Sequence, residues 1–421
     1  MKGGVPNLIL VERHLYKQSH RYYKEMDNIC FLSKNLYNST LYAVRQYYFT
    51  NKKYIGYTKI NKLFQQSKNA DYYALPTKVS QQTQRLVDKS FKSFFNHLKT
   101  KRANEVVHLP KYLHKSKGRQ VAFYTSQAIS RYKDKYIKLS KTNVIIKTKI
   151  KFDNISFVRL VPNKSNKTIT AEIGYEYNKE RNEQYTISNS NIASIDLGIN
   201  NLATITFTNH IPIIINGKPI KAINQYYNKQ KSKFQSIAKV SNKIMYTNRL
   251  IRLSIKRNNK INDYLHKSTH YIVNQLVSNH ISTVVVGYNK GWKQDTNMSK
   301  INNQKFVCIP FLKLIQMLSY KCKLKGIDVY LQEESYTSKA SFLDKDDIPI
   351  YENHNSKYGF SGKRIKRGLY KSAQNQILNA DVNGSYNIMR KYLNVVKNTN
   401  IYNLVNLIEA CSTPSVFTVN T

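Results

Sequence analysis

Between residues 192 and 220 three apolar runs, IASIDLGI, LATITFT and IPIIINGKPI, follow one another with connections too short to hold a helix. Such runs can only pair as an antiparallel meander, the last turning at Asn216 and Gly217. A long basic helical stretch follows and ends in DYLHKSTHYIVNQLVSNHI, where Leu265, Ile272, Leu276 and Val277 share one face. Then come a strand (STVVVGY), an amphipathic helix (FLKLIQMLSYKCKLKG) and a second strand, DVYLQ. Meander, then strand–helix–strand, is a narrow topological choice. A last helix is predicted over NADVNGSYNIMRKYL, and the chain beyond about 395 reads as loosely ordered.

The first half has a different texture. A strand is predicted over 7–13 and a helix over 27–49, with Ile29, Leu32, Leu36, Leu41 and Val44 at helical spacing. Helical character continues to about 100, broken at Pro76. From 119 to 178 short alternating runs predict an antiparallel sheet or small barrel, which the first strand completes. A polar linker, NKERNEQYTISNSN, separates the halves.

Lysine and arginine total 68 against 24 acidic residues, a formal net charge of +44. An AT-rich codon bias raises lysine but does not explain so few acids. A polyanion, nucleic acid above all, is the partner this charge fits. The apolar run in MKGGVPNLILVERH is too short for a signal peptide and no segment approaches membrane-spanning length, so a cytoplasmic, nucleoid-associated protein is expected. Cys30, Cys308, Cys322 and Cys411 form no CxxC pair and are expected to be reduced.

In so basic a chain the acids at strand ends stand out. Asp196 closes the first meander strand just before Gly198, a position used by ribonuclease H-like nucleases for Mg²⁺, by actin-like phosphotransferases near a nucleotide, and by many proteins as a turn cap. The strand order favours the ribonuclease H-like reading. Two-metal phosphodiester hydrolysis needs further acids, because Mg²⁺ takes oxygen ligands. STVVVGY ends on Gly287, which has no side chain to offer. The next strand runs into Glu333 and Glu334; Glu333 shares the face of Val329 and Leu331, so Glu334 is preferred as the ligand, with Glu333 the alternative acid. Asp381 opens the last helix, as an N-cap or first-turn residue would, and is the third acid.

These segments resemble the TnpB (OrfB) family of insertion-sequence RNA-guided nucleases. The likeness runs through LSKNLYNSTLYAVRQYYF, LPTKVSQQTQRLVDKSFKSFF, YTSQAISRYKDKYIKLSK, SIDLGINNLATITF, GWKQDTNMSKINNQKFVCIPF, EESYTSKASFLD and NADVNGSYNI, in order. It implies a multi-domain α/β protein: a wedge β-barrel from 1–26 and 119–180, an inserted helical recognition domain at 27–118, a ribonuclease H-like RuvC nuclease domain at 190–395, and a flexible tail at 396–421. It implies a Mg²⁺-dependent DNA endonuclease with two ions at Asp196, Glu334 and Asp381, guided by RNA from the transposon end to target DNA. Lys34, Tyr37, Arg45, Tyr47, Arg85 and Lys92 are candidate nucleic-acid contacts.

Two departures from the family pattern matter. Gly287 stands where a glutamate usually ends the strand, matching a branch in which the acid has moved to Glu334. Ala340, Ser341 and Asp344 stand where a first zinc-binding CxxC pair would fall, so no zinc is expected. The loss of the usual acid keeps a nuclease-inactive RNA-guided DNA-binding protein open, and the fold class keeps a strand-joining transposase open. His266 and His270, four apart on a helix, and Trp292 with Lys293, just past a strand end, are weaker signals.

Overall fold

The computed structural model describes residues 8–101, 105–163, 165, 167–177, 191–242, 247–289, 291, 299–349, 358–394, 401 and 404–419. It is a mixed α/β chain of two compact units, Met1–Asn178 and Lys179–Thr421.

In the first unit β1 (Ile9–Lys17) leads into α1 (Tyr23–Asn51), which ends where Lys52 turns left-handed at φ 51°. Two short helices, α2 (Tyr57–Gln66) and α3 (Ala70–Tyr73), precede α4 (Thr77–Thr100), and Pro76 sits at the α4 N-cap. The expected break at Pro76 is thus a helix start, where a missing N–H costs little. Six strands follow: β2 (Ala122–Thr125), β3 (Ile129–Lys133), β4 (Tyr136–Leu139), β5 (Ile145–Lys147), β6 (Ile155–Asn163) and β7 (Thr168–Glu176). They form two separately hydrogen-bonded sheets, β1-β7-β6-β2 and β3-β4-β5. The first strand does join the later ones, pairing antiparallel with β7 from Ile9–Glu176 to Lys17–Thr168. Leu36 and Leu41 of α1, Val87 and Phe91 of α4, and Tyr124, Val158 and Ile173 from the strands share one buried core.

The second unit is built on one six-stranded sheet. The predicted meander is β8 (Ile192–Leu197), β9 (Asn201–Phe207) and β10 (Ile213–Asn216). Two long helices, α5 (Lys218–Asn242) and α6 (Asn248–Ser278), lead to β11 (Thr283–Gly287); α7 (Lys300–Val307) and α8 (Phe311–Leu324) lead to β12 (Asp328–Gln332). A small sheet of β13 (Lys363–Lys366), β14 (Leu369–Lys371) and β15 (Ile377–Asn379) precedes α9 (Ala380–Tyr392), and α10 (Leu407–Cys411) and β16 (Ser415–Phe417) follow. The large sheet has the order β12-β11-β8-β9-β10-β16. β8, β11 and β12 are mutually parallel, whereas β9 is antiparallel to both its neighbours.

Alternation along the parallel strands sends side chains to two different layers. Ala193, Ile195, Val284 and Val286 pack into a core with Leu265, Leu276, Leu314 and Leu318 of α6 and α8. Ile192 and Val285 pack with Val382, Tyr386 and Met389 of α9. Asp196 has the parity of Ile192 and therefore lies on the α9 side. The stretch beyond 395, expected to be loose, instead supplies β16, paired in parallel with β10 from Ile213–Ser415 to Ile215–Phe417. Among the described residues no helix is long and apolar enough to cross a membrane. Residues 178–190 of the expected linker, and Trp292 and Lys293, lie outside the described residues.

Candidate active site

Strand register brings the acids to one edge. Ile195 pairs with Val286 and Val286 with Leu331, so Asp196, Gly287 and Gln332 stand level at the ends of three adjacent parallel strands. Glu334 lies two residues past that level, far enough for its side chain to fold back over the middle strand. A Cβ on Gly287 would fall 2.7 Å from Glu334 Oε2 and 2.5 Å from Ile388 Cδ1. The Glu334 carboxylate therefore fills the space that a side chain at 287 would need. Its backbone is fixed by Asn289 Oδ1, which accepts from Glu334 N at 3.0 Å, and by Thr337 Oγ1, which donates to Glu334 O at 2.8 Å.

α9 organises what surrounds these acids. Asn379 is its N-cap, accepting from Asp381 N at 3.0 Å and Val382 N at 3.2 Å, so Asp381 is a first-turn residue with its carboxylate free of capping. At Gly384 the helix comes so close that a Cβ would lie 3.2 Å from Asp196 Oδ2. Ser385 O accepts from Ser194 Oγ at 2.6 Å, binding the helix to β8. Asn387 Nδ2 donates to Thr337 O at 2.9 Å and Ala340 O at 2.7 Å, and Asn383 pairs with Phe342 N and Ala340 O. One helix thus presents Asp381, makes room for Asp196 and anchors the loop that carries Glu334.

Electrostatics report the convergence. Some surface of Asp196 still meets solvent, yet the protein around it pushes its carboxyl well above the usual range. The facing charges of Glu334 and Asp381 add to that burial, while Arg364 and the Leu197 N–H oppose it. Burial, with Glu333 adding and Lys391 opposing, pushes Glu334 up to about 7. Glu333 behaves differently: burial raises it, but hydrogen bonds from Lys391 and Ser335 prevail and hold it below the ordinary value. Lys391 Nζ bonds Glu333 Oε2, and Ser335 N donates to Oε1 at 2.6 Å. Glu333 is committed to an ion pair; Glu334 faces Asp196.

Asp381 Oδ2 accepts from Asn201 Nδ2 at 2.7 Å, and Oδ1 pairs with Arg364 at 3.3 Å. Among the described residues no three His, Cys, Asp or Glu side chains already form a metal cage. The donor set is nonetheless oxygen-only and crowded with like charge, which suits a hard divalent cation.

Residues 172–293 match the family model described as OrfB_IS605, probable transposase, and residues 311–388 match Cas12f1-like, TNB domain. Both matches are consistent with a TnpB-family (OrfB) protein. No curated protein matches the chain. Similar solved structures include a Cas12f1–sgRNA–target DNA complex, at 12% identity over 90% of this chain and 98% of that one, TM-score 0.34. A CRISPR-Cas12f ternary complex gives 11% identity over 87% and 81%, TM-score 0.35. Alicyclobacillus acidoterrestris C2c1 with a single-guide RNA gives 9% over 88% and 69%, TM-score 0.40.

Within the second matched segment, hydrogen bonds tie together the region where zinc was not expected. Asp344 Oδ2 accepts from Ser341 Oγ at 2.6 Å, Ala373 N at 2.8 Å and Ser361 Oγ at 3.0 Å. Asp346 accepts from Ser341 N at 2.7 Å and Ser361 Oγ at 2.6 Å. His266 and His270 are exposed on α6.

The proposed nucleic-acid contacts in the first unit fare unequally. Lys34 is buried, bonded to Asn35 and to Lys115 O at 2.6 Å, and burial lowers its pKa; its charge serves the fold. Tyr37 is also buried, though it lines the large cleft beside α4. Arg45 is half-buried over the Tyr112 ring at 5.0 Å, and Tyr47 packs against the core. Lys92 pairs with Asp88 at 2.7 Å. Arg85 is exposed and lines that cleft, of about 1010 Å³, with Lys89, His108, Lys111 and Arg159. Of these, Lys89 lies one turn from Arg85 on α4, whereas His108, Lys111 and Arg159 come from segments distant in the chain, which no local sequence pattern places beside α4.

Proposed function

We propose that this protein is a transposon-encoded, RNA-guided DNA endonuclease whose second unit is a ribonuclease H-like, RuvC-type nuclease domain. The observation that carries the reading is the Glu334 carboxylate lying over Gly287 beside Asp196. A sheet in which three parallel strands and an antiparallel pair follow the order β12-β11-β8-β9-β10 supports the fold assignment. Asp196, Glu334 and Asp381 would hold divalent cations, Mg²⁺ by preference. Bound ions would supply an activated water and stabilise the leaving oxygen of the phosphodiester. The chain's own residues do the rest. Asn201 and Arg364 orient Asp381, Asn289 and Thr337 fix the Glu334 backbone, and Lys391 withdraws Glu333 from the site. Guide RNA and target DNA are the partners that the charge of +44 fits, since base pairing carries sequence and the protein supplies cationic surface. In the first unit, the strands of 1–26 and 119–180 would serve as the wedge and the helices of 27–118 as the recognition domain. A nucleoid-associated location goes with those partners.

The protein co-purified with its RNA should cut matched DNA in Mg²⁺. Asp196→Ala and Glu334→Ala should each lose more than the roughly 10–100-fold cost of an outer-shell change, whereas Glu333→Gln should stay within it. Cutting that persists in Asp196→Ala would remove the assignment. The Arg364–Asp381 pair favours one alternative: an RNA-guided binder that does not cut. Target binding by the wild type without cleavage at any Mg²⁺ concentration would support it.

A further inference from the structure

The longest cationic feature of the second unit has no role in the chemistry above. Between Leu197 and Asn262 the sequence holds twelve lysines and arginines and no Asp or Glu, and most of them lie on α5 and α6. The two helices run antiparallel: Arg257 bonds Asn224 at 2.7 Å, Tyr227 bonds Ser254 at 3.0 Å, and Arg249 lies over the Phe234 ring at 3.9 Å. Their base is at the carboxylate edge. Tyr264 of α6 bonds Asn216 O, Gly217 N donates to Asn200 O at 2.7 Å, and the adjoining Asn201 holds Asp381. From Tyr264 out to Arg249 the hairpin therefore projects about 20 Å beyond the strand ends, at 1.5 Å per residue.

Within that arm is a cleft of about 340 Å³ lined by Tyr226, Tyr227, Leu253, Lys256, Arg257 and Lys260. Tyr227 and Arg257 are held by bonds within the hairpin, but Tyr226 is 62% exposed, and Lys256 and Lys260, one turn apart, are exposed as well. A tyrosine face beside a pair of free-standing ammonium groups is the chemistry that binds an unstacked base and its flanking phosphates. A volume of about 340 Å³ does not hold a paired, stacked helix. Residues 222–227 lie only about 6–14 Å along α5 from its start, so a strand in this cleft continues directly to the acids.

We propose that the α5–α6 cleft receives an unpaired nucleotide of the DNA strand bound for the carboxylate edge, Tyr226 stacking its base and Lys256 and Lys260 meeting its phosphates. That the occupant is the strand to be cut rests on the nuclease reading; the binding chemistry does not. The test is fluorescence anisotropy of labelled single-stranded DNA, and of RNA of the same sequence, with the full chain in chelator at 0.2 M salt. Tyr226→Ala should weaken DNA binding about 5- to 150-fold, the range for loss of one stacked base, while Tyr226→Phe stays near wild type. Lys256→Gln with Lys260→Gln should flatten the logarithmic salt dependence by about 1.4, two single-strand contacts. DNA affinity unchanged in Tyr226→Ala, equal losses in the Phe and Ala variants, or preference for RNA would each overturn the proposal. Because no cutting occurs in chelator, Asp196→Ala results bear on the nuclease reading alone. A Tyr226-sensitive wild type that never cuts would sink that reading and leave the cleft standing.

Discussion

Gly287 holds open the space in which the carboxylate of Glu334, the proposed metal ligand from another strand, comes to rest. A methyl there would meet Ile388 and the Glu334 carboxylate well inside contact distance, at 2.5 and 2.7 Å. Gly287→Ala should therefore cost about 1–3 kcal/mol in denaturant unfolding and, by displacing Glu334, slow cutting about 100-fold. Protonation gives an independent check. The Glu334 carboxyl is raised from 4.5 to about 7, so the stability linked to it is present at low pH and is lost as pH rises through about 7. Asp196 acts in the same direction. In chelator, Glu334→Gln should be more stable than wild type at pH 8 by about 1–3 kcal/mol and no more stable at pH 4, since one pKa unit is about 1.4 kcal/mol. Thermal unfolding of both proteins across pH measures the difference, which Mg²⁺ should shrink. Asp196, Glu334 and Asp381 were legible in the sequence as acids at element ends, and strand alternation separated Glu334 from Glu333. The Lys391 partner of Glu333 was not legible, because 58 residues separate them and no local pattern links the two.

α9 and the segment it anchors were only partly visible in the sequence. The helix itself follows from its apolar spacing, but Asn383, Gly384 and Asn387 carry no periodic signal for the contacts they make. β13, β14 and β15 are three or four residues long in a polar stretch, too short for alternation to register, and β16 is shorter than the usual strand. Asn387→Ala leaves the Thr337 and Ala340 carbonyls without that donor, and a loss of about 1–3 kcal/mol is expected, with cutting reduced further than folding. Burial raises the Asp344 carboxyl, but bonds from Ser341, Ala373 and Ser361 outweigh it and hold the group low. Its contribution is present above the ordinary carboxylate range and is lost on acidification. Asp344→Ala should lower the melting temperature at pH 7, whereas a zinc-selective chelator should leave the wild type unchanged. A chelator-induced drop would show that metal, not this carboxylate, ties 341 to 373.

For the whole molecule, the charge of +44 makes ionic strength the controlling variable. If the chain neutralises 6–10 phosphates, raising salt from 50 to 200 mM should weaken DNA binding by about 10³–10⁵, read as a straight line of log affinity against log salt. The meander with its strand–helix–strand continuation followed from the sequence, because apolar period and turn residues change together from one element to the next. The two separate sheets of the first unit did not, since alternation predicts strands but not their partners. The pairing of β16 with β10 has a practical side. Composition invites trimming the polypeptide near residue 395, yet that cut would strip the cover from the outer backbone of β10 and leave Ile213 to Ile215 with a bare row of amides and carbonyls. The shortened protein would be prone to self-association through that edge, and its insolubility would be easily mistaken for a failure of the chemistry.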